Sequence, residues 1–174
     1  RVLTKRENTL LLLTEYGIDE KSYHENDSDI TWENCTLRRW LNGEFLNEAF
    51  SDFEKKLIRT TNVDNSRREG DSGYDTNGGN NTEDRVFLLS YREAFWIYLR
   101  NDNSRICFPT KYAESQGAYV NKKTGSTYWW LRSPASDQHS VTRVDTDGSR
   151  DEFVGVAPAC IRPALWINLE SGIF

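Results

Sequence analysis

Apolar residues recur along the chain at two different spacings. Residues 2–3 and 9–15 carry short aliphatic runs, which predict a clipped strand and a second strand joined by a turn at residues 5–8. A chain that starts so abruptly in a strand predicts that residues 1–174 are one domain, an N-terminally truncated fragment of a longer protein. Residues 16–30 are polar and irregular and predict a loop. From 36 to 50 the spacing turns helical: Leu37, Trp40, Leu41, Phe45 and Ala49 share one face, with Asn42-Gly43 as an expected break. Ser51 and Glu54 then form a capping-box pattern, each side chain answering the other's backbone amide, and this opens a short helix through Leu57. Residues 58–63 read as extended.

Composition shifts sharply over residues 64–84, where Asp, Asn, Gly, Ser and Thr dominate and Tyr74 is the only ring. Such a stretch predicts a long surface loop. Order returns at residues 86–89, a short apolar strand. Ser90 and Glu93 repeat the capping-box pattern and start a helix that turns Ala94, Phe95, Tyr98 and Leu99 inward. Another short helix starts at Thr110. The last third is β: residues 127–131, 140–145, 152–156 and 161–168 alternate or run apolar between turn residues. Asp147-Gly148 predicts a hairpin with a type I′ turn, which needs positive φ at both central residues. Strands, then helices, then a β-meander predict an α+β fold, short helices packed on an antiparallel sheet with long irregular loops.

Composition adds weight to the rings. Only 37% of residues are hydrophobic, yet the chain holds 6 Trp, 8 Tyr and 8 Phe, so its core must be built largely from aromatics. Rings also serve binding surfaces, because they supply area at little entropic cost. The net charge of -5, with Lys and Arg spread among Asp and Glu, argues against nucleic acid as a partner. No apolar run approaches membrane-spanning length, Leu10 to Leu13 being only four residues, so no membrane insertion is expected. Cys35, Cys107 and Cys160 stand far apart. They are compatible with three buried thiols or with one disulfide and a free thiol.

Two blocks carry a family likeness. Trp129-Trp130-Leu131-Arg132-Ser133-Pro134 is followed by Ile161-Arg162-Pro163-Ala164-Leu165-Trp166-Ile167, and the upstream segments 37–42, 49–51, 84–90 and 110–113 keep their order and spacing with them. Together they resemble a widespread bacterial domain of unknown function, frequent in Firmicutes of the gut. A fold-level likeness reaches the C-type-lectin-like fold of the formylglycine-generating-enzyme type, in which helices precede a closing β-region marked by Trp and Arg. That enzyme class works through neighbouring cysteines near the C-terminus, and here only Cys160 lies there. The same fold serves the variable proteins of diversity-generating retroelements, whose ligand-binding residues occupy a C-terminal segment comparable in place to residues 135–157. The resemblance implies a cell-surface or secreted protein.

Candidate chemistry is sparse. In a strand, successive side chains face opposite ways, so Trp129 and Trp130 either expose one ring as a platform or are both covered by packed layers. The covered reading, with Arg132 stacked on or paired beneath them, is favoured, and Arg162 and Trp166 are taken as structural too. Asp145, Asp147 and Asp151 around Gly148 suggest a calcium loop, but the spacing of an EF-hand is missing and a plain turn fits better. His24 and His139 sit in polar surroundings without triad spacing, and no glycine-rich phosphate loop or nucleophile elbow occurs. The sequence therefore predicts a noncatalytic ligand-binding domain, without cofactor or metal, for a glycan or protein. Contacts are expected from Asp137, Gln138, His139, Thr142, Arg143, Asp145, Asp147, Arg150 and Asp151. A structural spacer without a ligand, or a hydrolase or modifying enzyme, are the alternatives.

Overall fold

The computed structural model describes residues 1–71 and 73–169. Strands β1 (Val2–Arg6) and β2 (Thr9–Leu13) form the N-terminal hairpin, reversed at Glu7, which takes a positive φ of 46°. The polar stretch after it is not all loop. Asp19–Ser22 is strand β3; it lies at a sheet edge, and apolar residues on its partner strand do the packing that its own side chains do not.

The helical pattern at residues 36–50 resolves into α1 (Thr36–Trp40), a π turn at Leu41–Phe45 and α2 (Leu46–Ala49). Leu37, Leu41 and Leu46 are buried as the spacing predicts, while Trp40 packs on Phe45 with 5.1 Å between ring centroids. Asn42-Gly43 does not break the helix. It widens it by one residue, and the Asn42 amide bridges to the backbone of residues 85–86: Oδ1 accepts from the amides of Arg85 and Val86 at 2.8 and 3.1 Å, and Nδ2 donates to the Val86 carbonyl at 2.8 Å. Ser51 and Glu54 form their capping box at the start of α3 (Asp52–Leu57), and β4 (Ile58–Arg59) and β5 (Thr61–Val63) follow.

Residues 64–84 are less solvated than their composition suggests. Strand β6 (Thr82–Asp84) pairs with β5, and Asn65, Glu69, Thr82 and Asp84 are buried. Each is hydrogen-bonded, which is what allows a polar segment to enter the interior. The Asp84 carboxylate, for example, accepts from Trp32 Nε1 at 2.9 Å and from Arg38 Nε at 2.7 Å. The Ser90–Glu93 capping box forms and leads into a π-helical segment, Glu93–Tyr98. Two short helices, α4 (Asp102–Arg105) and α5 (Lys111–Ser115), precede the β-region.

The closing strands are β7 (Trp129–Pro134), β8 (Ser140–Val144), β9 (Arg150–Val154), β10 (Pro158–Ile161) and β11 (Ala164–Asn168). They do not form one meander. Strands β7, β8 and β9 are antiparallel neighbours, but β10 crosses to the other side of β7 and pairs with it in parallel, with β3 at the edge. The expected strand at 161–168 is cut at Arg162-Pro163, and β11 joins a second sheet of order β1-β2-β11-β4. The protein is α+β, with sheets antiparallel apart from the β7–β10 pair. The β8–β9 turn also departs from type I′: only Gly148 has positive φ, 86°, and Asp145 N donates to Ser149 O at 2.9 Å, the pattern of a type I turn with a bulge.

Trp129 and Trp130 are both fully covered, since layers pack on each face of their sheet. Their indole nitrogens donate to the carbonyls of Arg105 and Lys21, each at 3.0 Å. Tyr23, ringed by Trp32 and Trp130 at 6.0 and 6.1 Å, completes this aromatic centre. All three cysteines are free thiols, and burial pushes Cys35 and Cys160 up to about 12, which keeps them protonated. Arg162 is wholly buried, its Nε donating to Thr14 O at 2.9 Å and its guanidinium 5.0 Å from the Trp129 ring centroid.

Candidate functional site

A concavity opens where β11, paired between β2 and β4, brings the end of the chain beside the N-terminal hairpin. Cross-strand neighbours share a sheet face, so the pairing of Trp166 on β11 with Arg59 on β4 sets these two side chains beside each other. Arg6, at the end of β1, comes over the Trp166 ring with its guanidinium carbon 5.2 Å from the centroid. Glu7, Thr9, Thr60, Thr61 and Asn62 complete an outer lobe of about 480 Å³. An inner lobe of about 320 Å³ continues between β5 and the π-helical segment, lined by Tyr98, Glu69, Arg92, Glu93 and Arg132. Arg6, Thr61, Asn62 and Trp166 line both lobes, so the two form one cleft with the indole at its junction.

The charges of the inner lobe are mutually engaged. Arg132, almost wholly buried, forms an ion pair with Glu93, donates to Leu88 O and Asp64 O at 2.8 and 3.0 Å, and reaches Asn65 Oδ1 at 3.2 Å. Glu69 accepts from the Ser90 hydroxyl at 2.6 Å and lies 3.5 Å from Arg92. Glu93 also takes the Ser90 amide at 2.8 Å. Each carboxylate thus has a structural partner. Burial raises the Tyr98 hydroxyl above its ordinary value, the negative Glu93 adding to the rise and a hydrogen bond from Arg6 opposing it. In the outer lobe the balance differs. Arg6 and Arg59 are exposed, and neither has a carboxylate partner among the described residues.

The nine residues expected to contact a ligand do not form one patch. Asp137 caps the amides of His139 and Ser140 at 2.9 and 2.8 Å. Gln138 is clamped between Ile30 O and Asn77, and His139 lies half-exposed 3.1 Å from Asp29. Thr142 is fully buried, its hydroxyl donating to Pro134 O at 2.9 Å, so it offers no atom to a partner. Asp145 and Asp147 accept the amides of Thr146 and Ser149 within the turn, at 2.6 and 2.9 Å. Arg150 is bound by the Tyr74 hydroxyl and by Asp71 at 3.4 Å, both from the 64–84 segment. Because Asp151 pairs with Arg143 at 2.6 Å, the carboxylates expected of a calcium loop point to three different partners.

Arg143 and Asp151 instead belong to a stack on the outer face of the β7–β9 sheet. The Arg143 guanidinium lies 4.2 Å from the ring centroids of both Tyr128 and Phe153, and Tyr119 stacks on Tyr128 at 5.1 Å. Tyr119 and Phe153 are exposed at its two ends.

Sequence reasoning marked Trp166 as structural, and it does pack against the core, yet it also reaches the cleft. Arg6, Arg59, Thr61, Asn62 and Tyr98 went unmarked. They lie on β1, β4, β5 and the π-helical segment, and no local pattern announces that a strand at each end of the chain will bring them together. No curated protein and no solved structure matches the chain. A family model does match, over residues 7–169, and the chain belongs to that family, the domain of unknown function DUF6273.

Proposed function

We propose that this domain is a noncatalytic recognition module that binds a glycan in the Trp166 cleft, within a bacterial surface or secreted protein of C-type-lectin-like architecture. The observation that carries it is the placing of a half-buried indole at the junction of two lobes lined by hydroxyl, amide and guanidinium groups. A saccharide presents an apolar ring face and a rim of hydroxyls, and such a wall answers both: the indole supplies area at low entropic cost, and Thr60, Thr61, Asn62 and Arg59 supply directional partners. Catalysis by the cleft carboxylates is disfavoured because Glu69 and Glu93 are held by Ser90, Arg92 and Arg132. Helices that precede a Trp- and Arg-marked closing β-region support the lectin-like reading.

The test is an oligosaccharide panel read with the wild type, with Trp166→Ala, and with Asp137→Ala/Asp147→Ala on the hairpin. The reading expects binders whose affinity falls at least about tenfold in Trp166→Ala and is unchanged in the hairpin variant, with melting curves showing both folded. A protein ligand at the exposed Tyr119–Tyr128–Arg143–Phe153 stack is the second reading, favoured by the apolar run Phe153, Val154 and Val156 exposed beside it. A panel without saccharide binders, alongside a protein ligand whose binding Phe153→Ser abolishes, would replace the first reading with the second.

A further inference from the structure

Charge in the cleft is divided unevenly between its lobes. The inner lobe is internally compensated, every carboxylate meeting a cation or a donor. The outer lobe holds two guanidinium groups, Arg6 and Arg59, on either side of the Trp166 ring, and among the described residues Glu7 is the only acid lining it. In a chain of net charge -5, two arginines that have no carboxylate partner among the described residues flank one ring and concentrate positive charge there. Arginine presents a planar fork of donors that matches a carboxylate in two bonds at once.

Resting on the glycan reading of the same cleft, we infer that the outer lobe selects an acidic saccharide, seating a sugar-ring carboxylate between Arg6 and Arg59 while the ring lies against Trp166. Thr9, Thr60 and Thr61 on the wall of the same lobe supply hydroxyls that can meet those of the sugar. Arg6 is then a specificity residue twice over, since it closes on the indole from above and presents its charge to the ligand. Arg6 lines both lobes, and Tyr98 shares the inner-lobe wall with it.

Methyl esterification tests this directly, because it removes the charge of a uronic acid and leaves the ring in place. Binding of a galacturonate tetramer and of its methyl ester is measured by calorimetry with the full chain, at about 0.05 M and about 0.5 M salt. The acid should bind at least about tenfold tighter than the ester at low salt, the gap narrowing at high salt. In Arg6→Gln/Arg59→Gln, two exposed positions whose change leaves the core intact, acid and ester should bind alike. Equal affinity of the wild type for acid and ester overturns the carboxylate seat and leaves the glycan reading standing. A preference for the acid that survives in the double variant places the seat elsewhere and overturns it as well. Failure of both tetramers to bind, while the wider panel still yields neutral sugars that need Trp166, rejects the acidic class alone; an empty panel rejects both readings.

Discussion

Glu20 carries the clearest tension at the scale of a single residue. It sits on β3 opposite Cys160, half-buried, with its Oε2 meeting no hydrogen-bond partner among the described residues. Burial raises its carboxyl from the ordinary 4.5 to about 7; a hydrogen bond with Cys160 and the nearby Arg143 oppose the rise, and Asp19 adds to it. The folded state therefore holds this proton more tightly than the unfolded chain does. Its contribution to stability is complete below about pH 4.5 and is lost as pH rises through about 7. Glu20→Gln should melt like the wild type at pH 4 and be more stable at pH 8, by on the order of 1 kcal/mol once solvent screening of a half-exposed group is allowed for. Thermal melts across that range check it, and parallel curves for the two proteins would refute it. Nothing in the sequence singled out Glu20, because its environment is made by a strand nearly 140 residues further along the chain. Trp129, Trp130, Arg132 and Arg162 were legible as structural for the opposite reason: large rings and arginines embedded in apolar runs have few places to go but the interior.

Among the elements, the helical stretch at residues 36–49 shows what a local signal can and cannot say. Asn-Gly ordinarily marks a turn, and the sequence reading placed a break there. What happens is a π turn, in which Asn42 holds the backbone of residues 85–86 and Gly43 faces open space. The two residues of the dipeptide should therefore respond in opposite ways. Asn42→Ala leaves the amides of Arg85 and Val86 and the Val86 carbonyl without their partner, at a cost of roughly 2–3 kcal/mol. Gly43→Ala adds a Cβ that meets nothing within 4 Å, removes freedom from the unfolded chain, and should stabilise by about 0.5–1 kcal/mol. Urea unfolding midpoints of the two variants read the sign directly. Capping boxes at Ser51 and Ser90 were fully legible, since their geometry closes within four residues. The π turns were not, because the extra residue is fixed by contacts far away in the chain.

At the scale of the whole molecule, Arg132 joins the parts that make the cleft. From β7 it reaches Glu93 on the π-helical segment, the carbonyls of Leu88 and Asp64, and Asn65 beyond β5. The inner wall of the cleft and the buried end of the 64–84 segment therefore depend on one buried cation. Removing that cation alone, as in Arg132→Met, strands the Glu93 carboxylate and withdraws the support of Glu69, at roughly 3–5 kcal/mol. Glu93→Gln alone leaves the guanidinium without its closest anion and loosens the Ser90 cap. If the charge pair is the joint, the double variant Arg132→Met/Glu93→Gln destabilises by at least about 1 kcal/mol less than the two single changes together, since neither charge is then left uncompensated. The backbone bonds to Leu88 and Asp64 are lost in both Arg132 variants, so recovery is partial. Urea unfolding of the four proteins measures the coupling. Strict additivity would mean that Arg132 holds the cleft through its carbonyl bonds alone, and that Glu93 is a capping residue with no part in the joint.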